Sequence, residues 1–162
     1  MQKEFDKILV GLIPEGETAL LAVSGGADSI CMAELFAHSS WKGNIAVAHC
    51  NFHLRGEESD ADAELVRCWA ASHGVAFHSV DFDTERYASE HSQSIEMAAR
   101  ELRYDWFASL CLKYGYYAVS VAHNANDNAE TLMLNLLRGT GLRGITGMKP
   151  VSNVPVSQQS LE

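Results

Sequence analysis

The residues Ser24-Gly25-Gly26-Ala27-Asp28-Ser29 have the types and spacing of a phosphate cradle. Two adjacent glycines allow a sharp turn and bring backbone amides close to a ligand. A helix starting at this point would aim its free N–H groups and positive dipole end at the same place. Ser24 and Ser29 add hydroxyl donors. The hexapeptide has neither the lysine of a Walker sequence nor the glycine spacing of a dinucleotide fingerprint. Charge neutralisation therefore falls to a metal, and Asp28 is a carboxylate suited to Mg2+ beside phosphate oxygens. A plain glycine turn with Asp28 as a helix cap is the simpler alternative.

Three further clusters carry polar chemistry. The segment from His49 to Asp60 reads HCNFHLRGEESD. Backbone groups near Ala48 to Cys50 suit an adenine edge, and His53 and Arg55 suit phosphate or RNA. Glu57, Glu58 and Ser59 read as the start of a helix. Glu96, Arg100 and Arg103 share one helix face at i, i+4 and i+7. They form either a solvated ion pair or contacts to phosphates or an RNA backbone. His123 precedes Asp127 and Glu130, which stand three apart and project from one helix face. They form a carboxylate pair for Mg2+, or merely complement the helix dipole; the dipole does not account for His123.

These clusters need elements to position them. Four apolar runs, 18–23, 44–50, 75–80 and 116–122, read as strands. Helices are expected over 28–38, 59–73, 94–114 and 126–138, after a leading amphipathic helix, with 81–93 as a charged connection. The expected stripes are Leu65, Val66, Trp69 and Ala70 on one helix, and Ile95, Ala99, Leu102, Trp106 and Leu110 on another. Apolar strands alternating with amphipathic helices predict an α/β fold, a Rossmann-like doubly wound parallel sheet. Ligands bind beyond the carboxyl ends of such strands, where all four clusters fall.

The chain has 162 residues, 47% hydrophobic and 20% charged, which suits one domain with one core. No stretch approaches the ~20 apolar residues of a membrane span. The first residues lack signal-peptide features, so a cytoplasmic location is expected. Cys31, Cys50, Cys68 and Cys111 contain no Cys-x-x-Cys pair, which gives a zinc site or redox dithiol no support. Each is read as a small buried hydrophobe, although Cys50 stands close to the chemistry. The net charge of −9 opposes phosphate contacts, so any RNA partner needs basic surface elsewhere. The domain is expected over 1–150. Residues 151–162 read as a tail, with Leu161-Glu162 resembling a cloning scar, and further domains are expected beyond it.

The hexapeptide resembles the SGGxDS signature of the PP-loop ATP pyrophosphatases, which cleave ATP between the α- and β-phosphates and leave AMP on an acceptor. The resemblance implies an adenine nucleotide alpha hydrolase-like fold and ATP on Ser24, Gly25, Gly26, Ala27, Asp28, Ser29 and His49. The second cluster is similar to the H-x-N-H-x-L-R-G-x-x-S-D-x-D stretch of the tRNA(Ile)-lysidine synthetases. His49, Asn51, His53, Leu54, Arg55, Gly56, Ser59, Asp60 and Asp62 fall on it, allowing one inserted position at Phe52. Either His49 or His53 then contacts the ligand. Glu96, Ala99, Arg100, Arg103 and Tyr104 match E-x-x-A-R-x-x-R-Y. The pattern A-H-H-x-D-D-Q-A-E-T keeps His123, Asp127, Glu130 and Thr131, with Asn124, Asn126 and Asn128 as departures. Leu136 to Gly144 resembles L-L-R-G-T-G-x-x-G.

By resemblance the whole enzyme is an ATP-dependent carbon–nitrogen ligase. It adenylates the wobble cytidine of a tRNA(Ile) with a CAU anticodon and joins L-lysine to give lysidine. Asp28, Asp127, Glu130 and His123 are the implied catalytic residues, the three acids holding Mg2+. His53, Arg55, Arg100, Arg103, Arg138 and Arg143 are the implied contacts to substrate or phosphate. A homodimer is allowed for. Another PP-loop enzyme (a tRNA thiolase or an amidotransferase synthetase) and a non-catalytic nucleotide sensor are the rivals. Asp28→Asn is expected to weaken Mg·ATP binding, measured by calorimetry, far more than it lowers the melting temperature. Equal affinity for both proteins with Mg2+ present would remove Asp28 from the site.

Overall fold

The computed structural model describes residues 1–124 and 132–134, with side chains through residue 122. The chain opens with α1 (Gln2–Leu12), followed by β1 (Thr18–Ala22), α2 (Ala27–Ala37) and β2 (Asn44–Asn51). Then come α3 (Glu57–Ser72), β3 (Ala76–Asp81), α4 (Thr84–Glu90), α5 (Ile95–Tyr114), β4 (Ala118–Asn124) and β5 (Leu132–Leu134). The sheet order is β3-β2-β1-β4-β5. The first four strands are parallel, and β5 pairs antiparallel with the end of β4. The chain moves outward from β1 to β3 and then crosses back to β4. The reversal falls between β1 and β4, where ligands collect in open α/β sheets.

β1 is central and buried on both faces, as a covered parallel sheet requires. Ala19, Leu21 and Val23 face a core with Phe5 and Leu9 of α1, Met32 and Phe36 of α2, and Val66 and Trp69 of α3. Leu20 and Ala22 face the opposite core, with Tyr104, Phe107 and Leu110 of α5. Trp41 closes one end, its indole N–H donating to the Ile13 carbonyl at 3.0 Å.

Several expectations shift. Residues 132–134, expected within a helix over 126–138, form β5; the remainder of that expected helix lies outside the described residues. A short Leu-Met-Leu run does not distinguish strand from helix, and the end of β4 supplies the backbone partners that decide it. The connection 81–93 contains α4, whose N-cap Asp83 accepts from the Arg86 N–H at 3.1 Å. Thr84 and Ala88 are its buried residues. On α3, Leu65 is half exposed while Val66, Trp69 and Ala70 are buried. On α5 the buried positions are Ala98, Ala99, Tyr104, Phe107 and Leu110, with Ile95 exposed. Two large rings, Tyr104 and Phe107, fill the core and set the rotation of that helix. Cys68 is exposed, not buried, with Sγ 3.3 Å from Glu64 one turn earlier.

Leu20 is fully buried and Leu112 is 81% exposed. Leu20→Ala is therefore expected to cost ~2–5 kcal/mol in urea unfolding through a lost side chain and a residual cavity. Leu112→Ala is expected to stay within ~0.5 kcal/mol. Similar losses for both would contradict the placement of the core.

Candidate functional site

The glycine-rich loop hangs from the end of β1 and is tied internally by serine hydroxyls. Ser29, buried at the first turn of α2, is the hub. It accepts from the Ser24 N–H and hydroxyl, each at 3.2 Å, and donates to the Gly26 carbonyl at 2.8 Å. Ser29 therefore spends its proton on the loop, shaping the cradle rather than offering a donor to a ligand. Ser24, Gly26, Ala27 and Asp28 are exposed. Gly25 has φ +95°, a conformation that favours glycine. A side chain there would also collide with Asp62 of α3, placing its Cβ 2.7 Å from that of Asp62.

The end of β2 lies beside the loop. The Val23 N–H donates to the Ala48 carbonyl at 2.9 Å, the last ladder bond before the chain turns away. The Val23 carbonyl accepts from His49 Nδ1 at 2.8 Å. That bond puts the ring proton on Nδ1 and leaves Nε2 buried without a partner among the described residues. His49 is 2% exposed, so its ring acts on the backbone beneath the loop. Alternation in a parallel ladder turns the Cys50 backbone to the same side as Ala48, past the point where β1 has left the sheet. That stretch is the one the sequence puts forward for an adenine edge.

The rest of the second cluster grips α3. The Asn51 amide donates to Asp60 at 2.9 Å, and its oxygen accepts from the His53 N–H at 3.0 Å. The Arg55 guanidinium donates to Asp62 at 2.8 Å. His53 turns the other way. Its Nε2 donates to Asp81 at the end of β3, 2.8 Å away, and its φ is +52°. It lines a cavity of about 460 Å3 with Phe52, Leu54, Phe82, Asp83 and Thr84. No inserted position is needed at Phe52: counted without one, the pattern puts Phe52 opposite its second histidine, His53 at a free position and all the other matches in register. From sequence Asp62 reads as a helix-start acid after Ser59; in the structure it holds Arg55 instead.

Across the sheet, α5 presents its arginines. Arg103 lies 5.1 Å over the Phe52 ring, which stacks on Phe82, and Arg100 lies 5.3 Å over Tyr104. Among the described residues Glu96 and Arg100 form no ion pair. The arginines line a groove of about 310 Å3 with Glu96, Met97 and Tyr104. Burial pushes the Cys50 thiol up to about 12, the Arg103 charge opposing only weakly, and burial pushes Cys111 to about 11. Neither is a thiolate near neutrality, which fits small apolar groups.

Asp127, Glu130, Arg138, Arg143 and the side chain of His123 lie outside the described residues; the His123 backbone is on β4, paired with Met133. Among the described residues no three His, Cys, Asp or Glu side chains form a metal cluster. Asp28 is exposed at the cradle, a carboxylate of the kind that Mg2+ takes beside phosphate oxygens and waters.

The chain matches the PP-loop domain family over residues 1–160. It is 48% identical over 139 residues to a tRNA(Ile)-lysidine synthase of Parabacteroides distasonis, covering 86% of this chain and 31% of that protein. The same-named protein of Porphyromonas gingivalis is 51% identical over 138 residues, covering 85% and 30%. That of Chlorobaculum tepidum is 46% identical over 140, covering 85% and 42%. The chain thus spans roughly a third of the length of these curated relatives. Among solved structures, the U34-tRNA thiolase NcsA of Methanococcus maripaludis has a TM-score of 0.58 at 15% identity, covering 75% of this chain and 45% of that one. The NH3-dependent NAD synthetase of Campylobacter jejuni has 0.57 at 13%, covering 73% and 53%. At such identities these two bear out the fold alone.

The two loop glycines are separable. Gly26 has φ −70° and only Ser24 Oγ near, 3.6 Å from an added Cβ. Gly26→Ala is expected to fold with a stability change within ~0.5 kcal/mol. Gly25→Ala is expected to lower the melting temperature clearly, through both the Asp62 clash and the positive φ. A Gly25→Ala protein as stable as Gly26→Ala would contradict the loop geometry.

Proposed function

This chain belongs to the PP-loop domain family, and from that premise we propose that residues 1–150 are the ATP-using catalytic domain of a tRNA(Ile)-lysidine synthase. The observation that carries the reading is the lysine-free cradle at 24–29, set at the strand-order reversal beside the end of β2, where Cys50 lies past the last β1 pairing. That arrangement offers one place for phosphates and one for a base. The relatives at 46–51% identity over most of this chain support the same substrate class.

In this reading the adenine lies along the end of β2 and the departing pyrophosphate sits on Ser24 to Ser29. Asp28, with Asp127 and Glu130, would hold Mg2+, which supplies charge neutralisation for the phosphates. The O2 of the wobble cytidine attacks the α-phosphorus, the bond to the bridging oxygen breaks, and pyrophosphate leaves. The lysine amine then attacks C2 of the activated base and AMP departs. The chain's own contribution is positioning and electrostatic stabilisation. Arg100 and Arg103 face RNA phosphate from α5, and Arg138 and Arg143 serve tRNA or lysine. With a net charge of −9, most of the tRNA surface belongs to other parts of the enzyme.

The test is single-turnover pyrophosphate release by the full-length enzyme with tRNA(Ile) and lysine. Asp127→Asn and Glu130→Gln are each expected to slow release by orders of magnitude with little change in melting temperature. Near-wild-type rates would remove both from the metal site. Release that ignores tRNA(Ile) would favour another PP-loop enzyme, and no release from wild type would favour a nucleotide sensor.

A further inference from the structure

The cradle contains no lysine, but a cation stands one side chain away from it. Asp62 fills the space where a side chain on Gly25 would lie, with Oδ1 2.9 Å from the position of an added Cβ. A carboxylate packed against the cradle backbone would repel a bound diphosphate. Asp62 is not bare, however: its Oδ2 accepts from Arg55 Nη2 at 2.8 Å.

The pair is built into the loop. The Arg55 backbone N–H donates to Ser59 Oγ at 3.3 Å, and Asn51 ties the same loop to Asp60. Asp62 is 26% exposed and Arg55 63%. An ion pair that open contributes little to folding, so stability does not account for its place against the cradle. A guanidinium carries five N–H donors in a fork suited to phosphate oxygens, and the Asp62 contact leaves others for an anion.

Resting on the ATP reading above, we infer that Arg55 is the cation of the pyrophosphate cradle and that Asp62 is the positioning residue that holds it there. Arg55 then serves the phosphates rather than RNA. It does the work of the missing lysine from the neighbouring strand's loop, and Asp62 cancels its own repulsion by delivering the guanidinium.

The experiment is calorimetric titration of this chain with Mg·ATP, inorganic pyrophosphate and adenosine. Arg55→Ala and the near-isosteric Asp62→Asn are each expected to weaken pyrophosphate binding about tenfold, the effect of one charge-assisted hydrogen bond. Adenosine affinity should stay unchanged. The double variant should be no weaker than Arg55→Ala, because Asp62 acts through Arg55. Unchanged or tighter pyrophosphate binding by Asp62→Asn, with wild type binding normally, overturns the role of Asp62. If Asp62→Asn does not fold, Arg55→Gln on its exposed side chain decides, and unchanged pyrophosphate binding there overturns the inference. Failure of wild type to bind Mg·ATP at all sinks the functional reading instead.

Discussion

The hydrogen bond from His49 to the Val23 carbonyl decides how the central strand ends. A buried imidazole is costly unless bonded, and this one is bonded to Val23, one residue past the end of β1. The Val23 carbonyl accepts this ring proton just beyond the last ladder bond, to Ala48, where the chain leaves the sheet. The turn at Ser24, the start of α2 at Ala27 and the stretch of β2 past its last β1 pairing all lie at that departure. The cradle is thus fixed by the strand beside it as much as by its own glycines.

Helix α3 supplies the second support. Its first two turns hold the β2 loop through Asp60 and press on Gly25 through Asp62, while Val66, Trp69 and Ala70 anchor the helix in the core. The core contacts fix the axis of α3, and the axis fixes where the carboxylates fall. Polar residues at the mouth are positioned by apolar residues several turns below, which is how a rigid scaffold carries a site on loops. The aromatic path Arg103–Phe52–Phe82–Trp106 does the same from the α5 side.

Local chemistry was legible in the sequence because it is written in adjacent residues. The strand, turn and helix around 24–29 needed only an apolar run, two glycines and a cap. The four parallel strands followed from alternation of period, and the core face of α3 from Val66, Trp69 and Ala70. The contact of Asp62 with Gly25 was not legible, since it depends on the packing angle of α3 over β1. Nor was the burial of His49, whose partner is a carbonyl and leaves no mark in side-chain type. α4 is hard to read because Asp83, Glu85, Arg86 and Glu90 resemble a solvated connection, although Asp83 is an ordinary cap. β5 is not legible because a three-residue apolar run fits strand and helix alike, and only its pairing with β4 decides.

β3 forms one margin of the sheet, and margins are where separate molecules can join strand to strand. It is six residues long, leaves Ala76, Ser79 and Asp81 exposed, and ends in a carboxylate that holds His53. A short strand with a charge at its end makes a poor template for a second chain. The more apolar strands β1 and β2 stay in the middle of the sheet, away from that margin, and a net charge of −9 adds mutual repulsion between copies.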